Sequence, residues 1–286
     1  MSNDGHNISE KRGVFRRLHE SGCFAIPNPW DVGTARYLQH LGFKALATTS
    51  AGAAWSLGYA DGEVPLDLML DHIRSIVEAT DLPVNADFEG GYADAPEDVA
   101  GNVHRCVKTG VAGLSIEDST GNDASPLYEM DFAVARIRAA RAAIDASGGG
   151  VLLTGRAEGF IRGRPDLDEM IRRVVAYGEA GADCLYVPGI KTREQISLVI
   201  KAVAPKPVNI LIGGPSELTL ADLAALGARR VSVGGALARA AWGGFVRAAS
   251  RIAEAGEFGG FADAAPSADL NRLFREGTAG AARSKS

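Results

Sequence analysis

Short apolar runs alternate with longer amphipathic stretches along nearly the whole chain, about eight times over. The runs are Cys23 to Pro27, Ala45 to Thr49, Pro83 to Asp87, Gly113 to Glu117, Gly150 to Thr154, Asp183 to Val187, Val208 to Ile212 and Arg229 to Val233. Each is continuous rather than alternating in hydrophobicity, which predicts parallel strands buried on both faces. Helices are expected between them. In 66–80, Leu66, Met69, Leu70, Ile73, Ile76 and Val77 make one stripe, while Asp67, Asp71, Arg74 and Glu78 face outward. Pro96 with Glu97 and Asp98, Asp166 with Glu169 as a capping box, and Thr219 with Asp222 mark helix starts. Gly42, Gly110, Gly181 and Gly227 each precede a strand, and each reads as a left-handed helix cap.

Eight units of about 35 residues nearly exhaust the chain, which favours an α/β class (β/α)8 TIM-type barrel over an open doubly wound sheet. No linker divides it. The expectation is one domain over 1–286, with an N-terminal helix at about 9–20, the barrel at about 21–256 and a C-terminal helical tail at 257–286. Within that tail a short helix is expected from Ala268 to Arg275 and a disordered polar end from Glu276 to Ser286.

Composition narrows the function classes. With 46% hydrophobic and 23% charged residues and no run long enough for a membrane span, the chain reads as a soluble protein. Its first residues lack the apolar centre of a secretory signal, and their acids argue against a transit peptide, so a cytoplasmic location is expected. A net charge of -5 without a basic block offers nucleic acid no electrostatic footprint. Cys23, Cys106 and Cys184 are odd in number and set among apolar residues, as reduced core thiols are.

In such a barrel the chemistry lies where the strands end. The first two strands deliver Asn28, Trp30, Asp31, Thr49, Ser50 and Gly52, followed by Asp61 and Glu63. The third delivers Asn85, Asp87 and Glu89, the fourth Glu117 and Asp118, and the fifth Thr154, Arg156 and Glu158. Tyr186, Asn209 and the pairs Gly213-Gly214 and Gly234-Gly235 complete the ring. Carboxylates on successive strands suit a hard dication, Mg2+ or Mn2+ in its place; as the alternative, Asp87 and Glu117 are caps or first-turn acids of the following helices. All five histidines fall in the N-terminal arm or on predicted helices, and no strand carries an inward lysine, which argues against histidine metal sites and Schiff-base chemistry. Arg156 is either a bidentate partner for a substrate carboxylate or an internal partner of Glu117 or Glu158. The double glycines offer backbone donors to a phosphate or a second carboxylate, or simply permit close packing.

Thr48-Thr49-Ser50-Ala51-Gly52, Asn85-Ala86-Asp87 with Gly91-Tyr92, Ile116-Glu117-Asp118 and Gly155-Arg156-Ala157, in this order and spacing, resemble the isocitrate lyase/phosphoenolpyruvate mutase superfamily over about residues 12 to 255. The resemblance implies a modified β/α barrel that binds Mg2+ and acts on 2-oxo or 2-hydroxy carboxylates, breaking a carbon–carbon or phosphorus–carbon bond through an enolate. It also implies a homo-oligomer, tetramer or dimer, in which the helix from Ala236 to Ala255 packs on a neighbour. Carried over by position, Ser50, Ala51 and Gly52 contact the substrate carboxylate, Asp87 is the direct metal ligand, and Asp61 and Glu117 hold metal-bound waters. Arg156 meets substrate oxygens, Trp30 lies over the substrate, and Asn209 joins the substrate contacts. Arg156, Glu89 and Asp61 form the catalytic set, with the general acid and base open among Glu89, Asp61, Glu117 and a metal-bound water.

The departures from the pattern bear on chemistry. Asn85, counted with Asp87, Glu117 and Asp61 among the metal-site residues, stands where relatives usually have an aspartate, and the following loop is one residue longer and carries Glu89. The stretch Ser119 to Tyr128 lacks the loop cysteine and histidine of the lyases, the gating loop of the mutases is not evident, and Val187-Pro188-Gly189 lacks the lyases' glutamate. The expected function is a Mg2+-dependent lyase cleaving a carbon–carbon bond in a small 2-oxo or 2-hydroxy acid. The alternatives are phosphoenolpyruvate mutase or phosphonopyruvate hydrolase chemistry, and a catalytically inactive carboxylate-binding barrel.

Overall fold

The computed structural model describes residues 4–283, with side chains over 7–276. In chain order the elements are α1 (Asp4–Leu18), β1 (Phe24–Ile26), α2 (Val32–His40), β2 (Leu46–Ala47), α3 (Ser50–Leu57), α4 (Leu66–Ala79), β3 (Val84–Asp87), α5 (Pro96–Val107) and β4 (Gly113–Glu117). There follow α6 (Met130–Ala146), β5 (Leu152–Arg156), α7 (Leu167–Glu179), β6 (Cys184–Tyr186), α8 (Arg193–Val203), β7 (Val208–Leu211), α9 (Leu220–Ala225), β8 (Arg230–Ser232), α10 (Ala236–Ala255) and α11 (Ser267–Arg283).

The eight strands form one parallel sheet in the order β1-β8-β7-β6-β5-β4-β3-β2. The remaining seam, between β1 and β2, is bridged by the Ala47 N–H to the Pro27 carbonyl at 3.1 Å, so the sheet is a nearly closed TIM-type barrel. Continuous apolar strands are what this arrangement requires, because helices cover the outer face and side chains fill the inner one. The stripe expected on α4 is buried at Met69, Leu70, Ile73, Ile76 and Val77. Gly42, Gly110, Gly181 and Gly227 all adopt positive φ, between +84° and +109°, as left-handed turns into the next strand.

One end of the barrel is stoppered. Phe15 and His19, from α1 and the residue just after it, are buried beside Phe24 of β1, with Ala45, Ala112 and Leu152 around Phe15. The strand ends that carry the polar residues therefore open at the opposite face.

Several elements differ from the sequence reading. β5 starts at Leu152 because Gly148, Gly149 and Gly150 all have left-handed φ, incompatible with a strand, and the shift brings Arg156 into the strand itself. α3 was not expected; Thr49 caps it by accepting the Gly52 N–H, and Gly58 ends it at φ +80°. Only half of the expected capping box forms at α7: Asp166 accepts the Glu169 N–H at 2.9 Å, while Glu169 turns to Arg173 and Arg164. α1 begins earlier than the expected helix. α11 runs through much of the expected disordered end, with Leu273 and Phe274 beside Arg36, Gln39 and His40 of α2, and residues 284–286 lie outside the described residues. Of α10 only Ala238 is buried, leaving Trp242, Phe245 and Val246 exposed. Among the described residues no helix is long and apolar enough to cross a membrane.

Candidate active site

At the open face a cavity of about 180 Å3 lies inside the ring of strand ends. Its wall includes Ser50, Ala51, Asp61, Asn85, Asp87, Arg156, Tyr186, Asn209 and Arg230. The pleat explains this membership: side chains two apart share a face, so Asn85 and Asp87 both point inward on β3, one layer above the other.

Asp87 is fixed on three sides. Its Oδ2 accepts the Ser50 backbone N–H at 3.0 Å and the Ser50 hydroxyl at 3.1 Å, and its Oδ1 faces Arg156 Nη1 at 2.6 Å. Its own N–H goes to Thr48 Oγ1 at 2.9 Å. Ser50 is the first residue of α3, so the helix not foreseen from sequence is the one that aims a backbone donor at this carboxylate. Ser50 Oγ also lies 3.3 Å from Asp61 Oδ1, which brings a second carboxylate to the same wall. Burial, and then the charge of Asp87, push Asp61 above its ordinary pKa, against the hydrogen bond from Ser50.

Arg156 is enclosed by acids. Besides Asp87, its Nη2 lies 3.1 Å from Glu117 Oε2 and its Nε 2.9 Å from Glu158 Oε1. The internal pairing considered from sequence therefore forms with both glutamates at once. Burial pushes Glu117 and Glu158 upward while Arg156 pulls both down. Arg162 approaches the other oxygen of Glu117 at 3.6 Å. Behind Glu158, Asp118 accepts its backbone N–H at 2.8 Å and takes Tyr177 OH at 2.5 Å and Arg173 Nη1 at 3.0 Å. This network fixes the turn after β5.

Glu89 stands beside the wall, not on it. It and Tyr92 are the non-glycine residues with left-handed φ among the described residues, at +46° and +56°. Arg136 donates to the carbonyls of Gly90 and Ala93 and holds the turn from behind, while Tyr92 OH donates to Glu89 Oε1 at 2.8 Å. Burial raises Glu89 to about 7, helped by Asp87, Glu117 and Asp61 and opposed by the Tyr92 hydrogen bond.

The other candidates are dispersed. Asn85 is deeper, with its Oδ1 3.4 Å from Arg230 Nη1. Asn209 gives its amide N–H to Ser232 at 2.9 Å and its oxygen to Arg230 at 2.8 Å. Trp30, Gly52 and Glu117 are not on the cavity wall. A Cβ at Gly52 would lie 2.7 Å from Thr49 Cγ2 and 2.9 Å from Trp30 Cβ, so this glycine lets α3 pack against the loop after β1. Arg230 did not stand out in the sequence because it was read as part of an apolar run. Its signal is a cation inside a strand buried on both faces.

Among the described residues no three His, Cys, Asp or Glu side chains form a ready-made metal cluster. The donor chemistry nonetheless fits a hard dication that keeps most of its waters: Asp87, Asp61 and the Ser50 hydroxyl present oxygens on one wall, with Asp61 raised by burial and then by the charge of Asp87. Asn85 faces the Arg230 guanidinium at 3.4 Å, and Glu117 lies between Arg156 and Arg162, at 3.1 and 3.6 Å.

The parallel strands closing around carboxylates at their C-terminal ends define an enzyme of the (β/α)8-barrel class. A family model described as phosphoenolpyruvate phosphomutase matches residues 15–253, and the chain belongs to that family, within the isocitrate lyase/phosphoenolpyruvate mutase superfamily of lyases and mutases. An oxaloacetate decarboxylase from Rhodopseudomonas palustris (strain BisB5) is 32% identical over 239 residues, covering 79% of this chain and 78% of the relative. A crystal structure provisionally described as a lyase/mutase from Burkholderia cenocepacia J2315 superposes with a TM-score of 0.90 at 49% identity, covering 94% of this chain and 97% of that one. Phosphonopyruvate hydrolase in complex with oxalate and Mg2+ superposes with a TM-score of 0.82 at 25% identity, covering 96% and 98%.

Proposed function

We propose that this chain is a Mg2+-dependent lyase that cleaves a carbon–carbon bond in a small 2-oxo or 2-hydroxy carboxylic acid by way of an enolate, with oxaloacetate-like acids the first substrates to try. The observation that carries the reading is Asp87 at the end of β3, oriented by Ser50 and Arg156 and joined by Asp61 on the wall of a cavity sized for a small acid. The oxaloacetate decarboxylase relative supports the reaction type, and the hydrolase with Mg2+ and oxalate supports the metal and the ligand class.

Asp87, Asp61 and the Ser50 hydroxyl would hold Mg2+ or Mn2+, which when bound supplies an electrophile for the oxygens beside the breaking bond. Ser50 and Ala51, at the N-terminus of α3, favour a substrate carboxylate through the helix dipole. Arg156 keeps Asp87 in place and puts positive charge at the wall where negative charge develops as the bond breaks. Glu89, poised near neutrality beside Tyr92, handles the proton that the product carbon takes up, through a water because it stands off the wall. The stretch after β4 lacks the thiol that the related lyases use as an acid, which favours decarboxylative or hydrolytic cleavage over a reaction that needs that acid.

The exposed face of α10, including Trp242, Phe245 and Val246, supports a homo-oligomer, tetramer or dimer, in which this helix packs on a second copy. Light scattering of the purified protein reads this directly, and a monomer would refute it.

A second reading rests on Gly234 and Gly235, which line the cavity next to α10 and offer backbone donors to a phosphoryl group. One panel separates the readings: oxaloacetate, malate-type 2-hydroxy acids and phosphonopyruvate, each with Mg2+ and with a chelator. Pyruvate or acetate and oxalate appearing only with metal, with kcat/KM reduced about 100- to 1000-fold by Asp87→Ala, is the expected result. Phosphate release from phosphonopyruvate selects the second reading. Unchanged turnover in chelator and in Asp87→Ala overturns the metal-dependent one.

A further inference from the structure

Below the carboxylates the barrel holds a second guanidinium in very different company. Arg230 opens β8, is 3% exposed and forms part of the cavity wall. Its Nε donates to Asn209 Oδ1 at 2.8 Å, its Nη2 to Thr154 Oγ1 at 3.1 Å, and its Nη1 lies 3.4 Å from Asn85 Oδ1 and 3.4 Å from His19 Nε2. His19 Nδ1 lies 2.8 Å from the Phe15 carbonyl. A carbonyl only accepts, so Nδ1 carries the ring proton and Nε2 is a neutral acceptor facing Arg230. All four partners are uncharged, and no carboxylate lies within ion-pair distance of Arg230 among the described residues.

A guanidinium taken out of water without a counter-ion is costly, and in a folded interior it is normally paired. Here the candidate counter-ion position is filled by the amide of Asn85; an aspartate would cancel the charge, whereas the amide leaves it uncompensated. Arg230 has five N–H donors and four described partners, which leaves one N–H on Nη2 without an acceptor among the described residues. The cavity extends from this floor up to Ser50 and Ala51, and its volume of about 180 Å3 equals that of roughly six liquid waters, enough for a short organic acid.

We propose that Arg230 receives a second carboxylate of the substrate at the floor of the cavity and is the residue by which the site selects dicarboxylic over monocarboxylic acids. The inference rests on the carboxylate-binding reading of the cavity given above, and it adds the residue that reads the far end of the ligand. A monocarboxylic acid of the same length would bring a methyl group to Arg230 and leave a desolvated cation unpaired. Sites built to pair a polar group discriminate strongly in this way.

The test compares malate with 2-hydroxybutyrate, in which a methyl stands where malate has its second carboxylate. Binding is measured by calorimetry in magnesium buffer, for the wild type, Arg230→Met and Arg230→Lys, with circular dichroism to check folding. The expected result is an about 10- to 100-fold preference for malate, the range of one charge-assisted hydrogen bond. Arg230→Met should abolish the preference with the affinity for 2-hydroxybutyrate kept, and Arg230→Lys should retain part of it. An independent readout needs no variant at position 230: malate should move the ring resonances of labelled His19 by neutralising its neighbour, and 2-hydroxybutyrate should not. A preference that survives Arg230→Met, or a His19 signal indifferent to malate, overturns the proposal. Equal binding of both acids by the wild type removes the role of Arg230 and leaves the carboxylate site standing, whereas binding of neither removes both.

Discussion

Arg156, largely enclosed, and Arg230, buried, lie in one barrel, yet Arg156 meets Asp87, Glu117 and Glu158, and Arg230 meets two amides, a hydroxyl and a neutral imidazole. The difference separates a cation that holds the protein's own acids from one whose charge is left uncompensated. Removing the first strands several carboxylates; removing the second strands only neutral groups.

The largest expected effect follows from that asymmetry. Arg156→Met should cost about 3–5 kcal/mol of stability in urea unfolding at pH 8, because breaking a buried ion pair leaves an uncompensated charge. The loss should shrink as pH falls, because Glu117 and Glu158 already have raised pKa values and neutralise early. A pH-independent loss would mean that these acids are not what Arg156 compensates.

His19 supplies the next effect. Burial, and then the charge of Arg230, lower its pKa to about 3, against the Phe15 carbonyl hydrogen bond. In the unfolded chain it takes up a proton below pH ~6.5. The unfolded state therefore binds more protons between these values, and stability, unaffected by His19 above pH ~6.5, falls as pH drops toward 3. The slope from this one group is at most about 1.4 kcal/mol per pH unit. His19→Gln should flatten the stability profile over pH 6 to 4 in chemical denaturation.

A smaller change sharpens the comparison from the opposite side. Asn85→Asp gives Arg230 the carboxylate it lacks, weakens its field at His19 and should raise the His19 pKa by about one unit in an NMR titration. The smallest effect is expected for Arg230→Met, within about 1 kcal/mol of wild type, since an apolar replacement removes the cost of an unpaired buried charge. Equal losses for Arg156→Met and Arg230→Met would break the comparison.

The barrel was legible because its strands are mostly apolar runs without polar alternation and because Gly42, Gly110, Gly181 and Gly227 mark the turns into them. α3 was not, since Ser-Ala-Gly-Ala-Ala-Trp-Ser-Leu has no amphipathic period and its cap, Thr49, reads equally as the end of a strand. β5 was displaced because three successive glycines resemble a strand edge in composition while their backbone excludes one. Asp87, Asp61 and Ser50 could be picked out by residue type and place, and they meet on one wall. The multiple pairing of Arg156 depends on side-chain directions that spacing does not encode. Arg230 was hidden by its neighbour: the two-residue alternation of a strand decides which of Arg229 and Arg230 points inward, and Arg229 instead donates to the Gly22 carbonyl at the outside.

Phe15 and His19 give the barrel a floor, and a vessel closed below has its traffic decided above. In the proposed reaction, reactant and both fragments would share one mouth, the fragment formed nearer the rim would depart first, and the deeper one would wait beside Arg230 until the way is clear. Product inhibition should then belong mainly to the fragment that stays below.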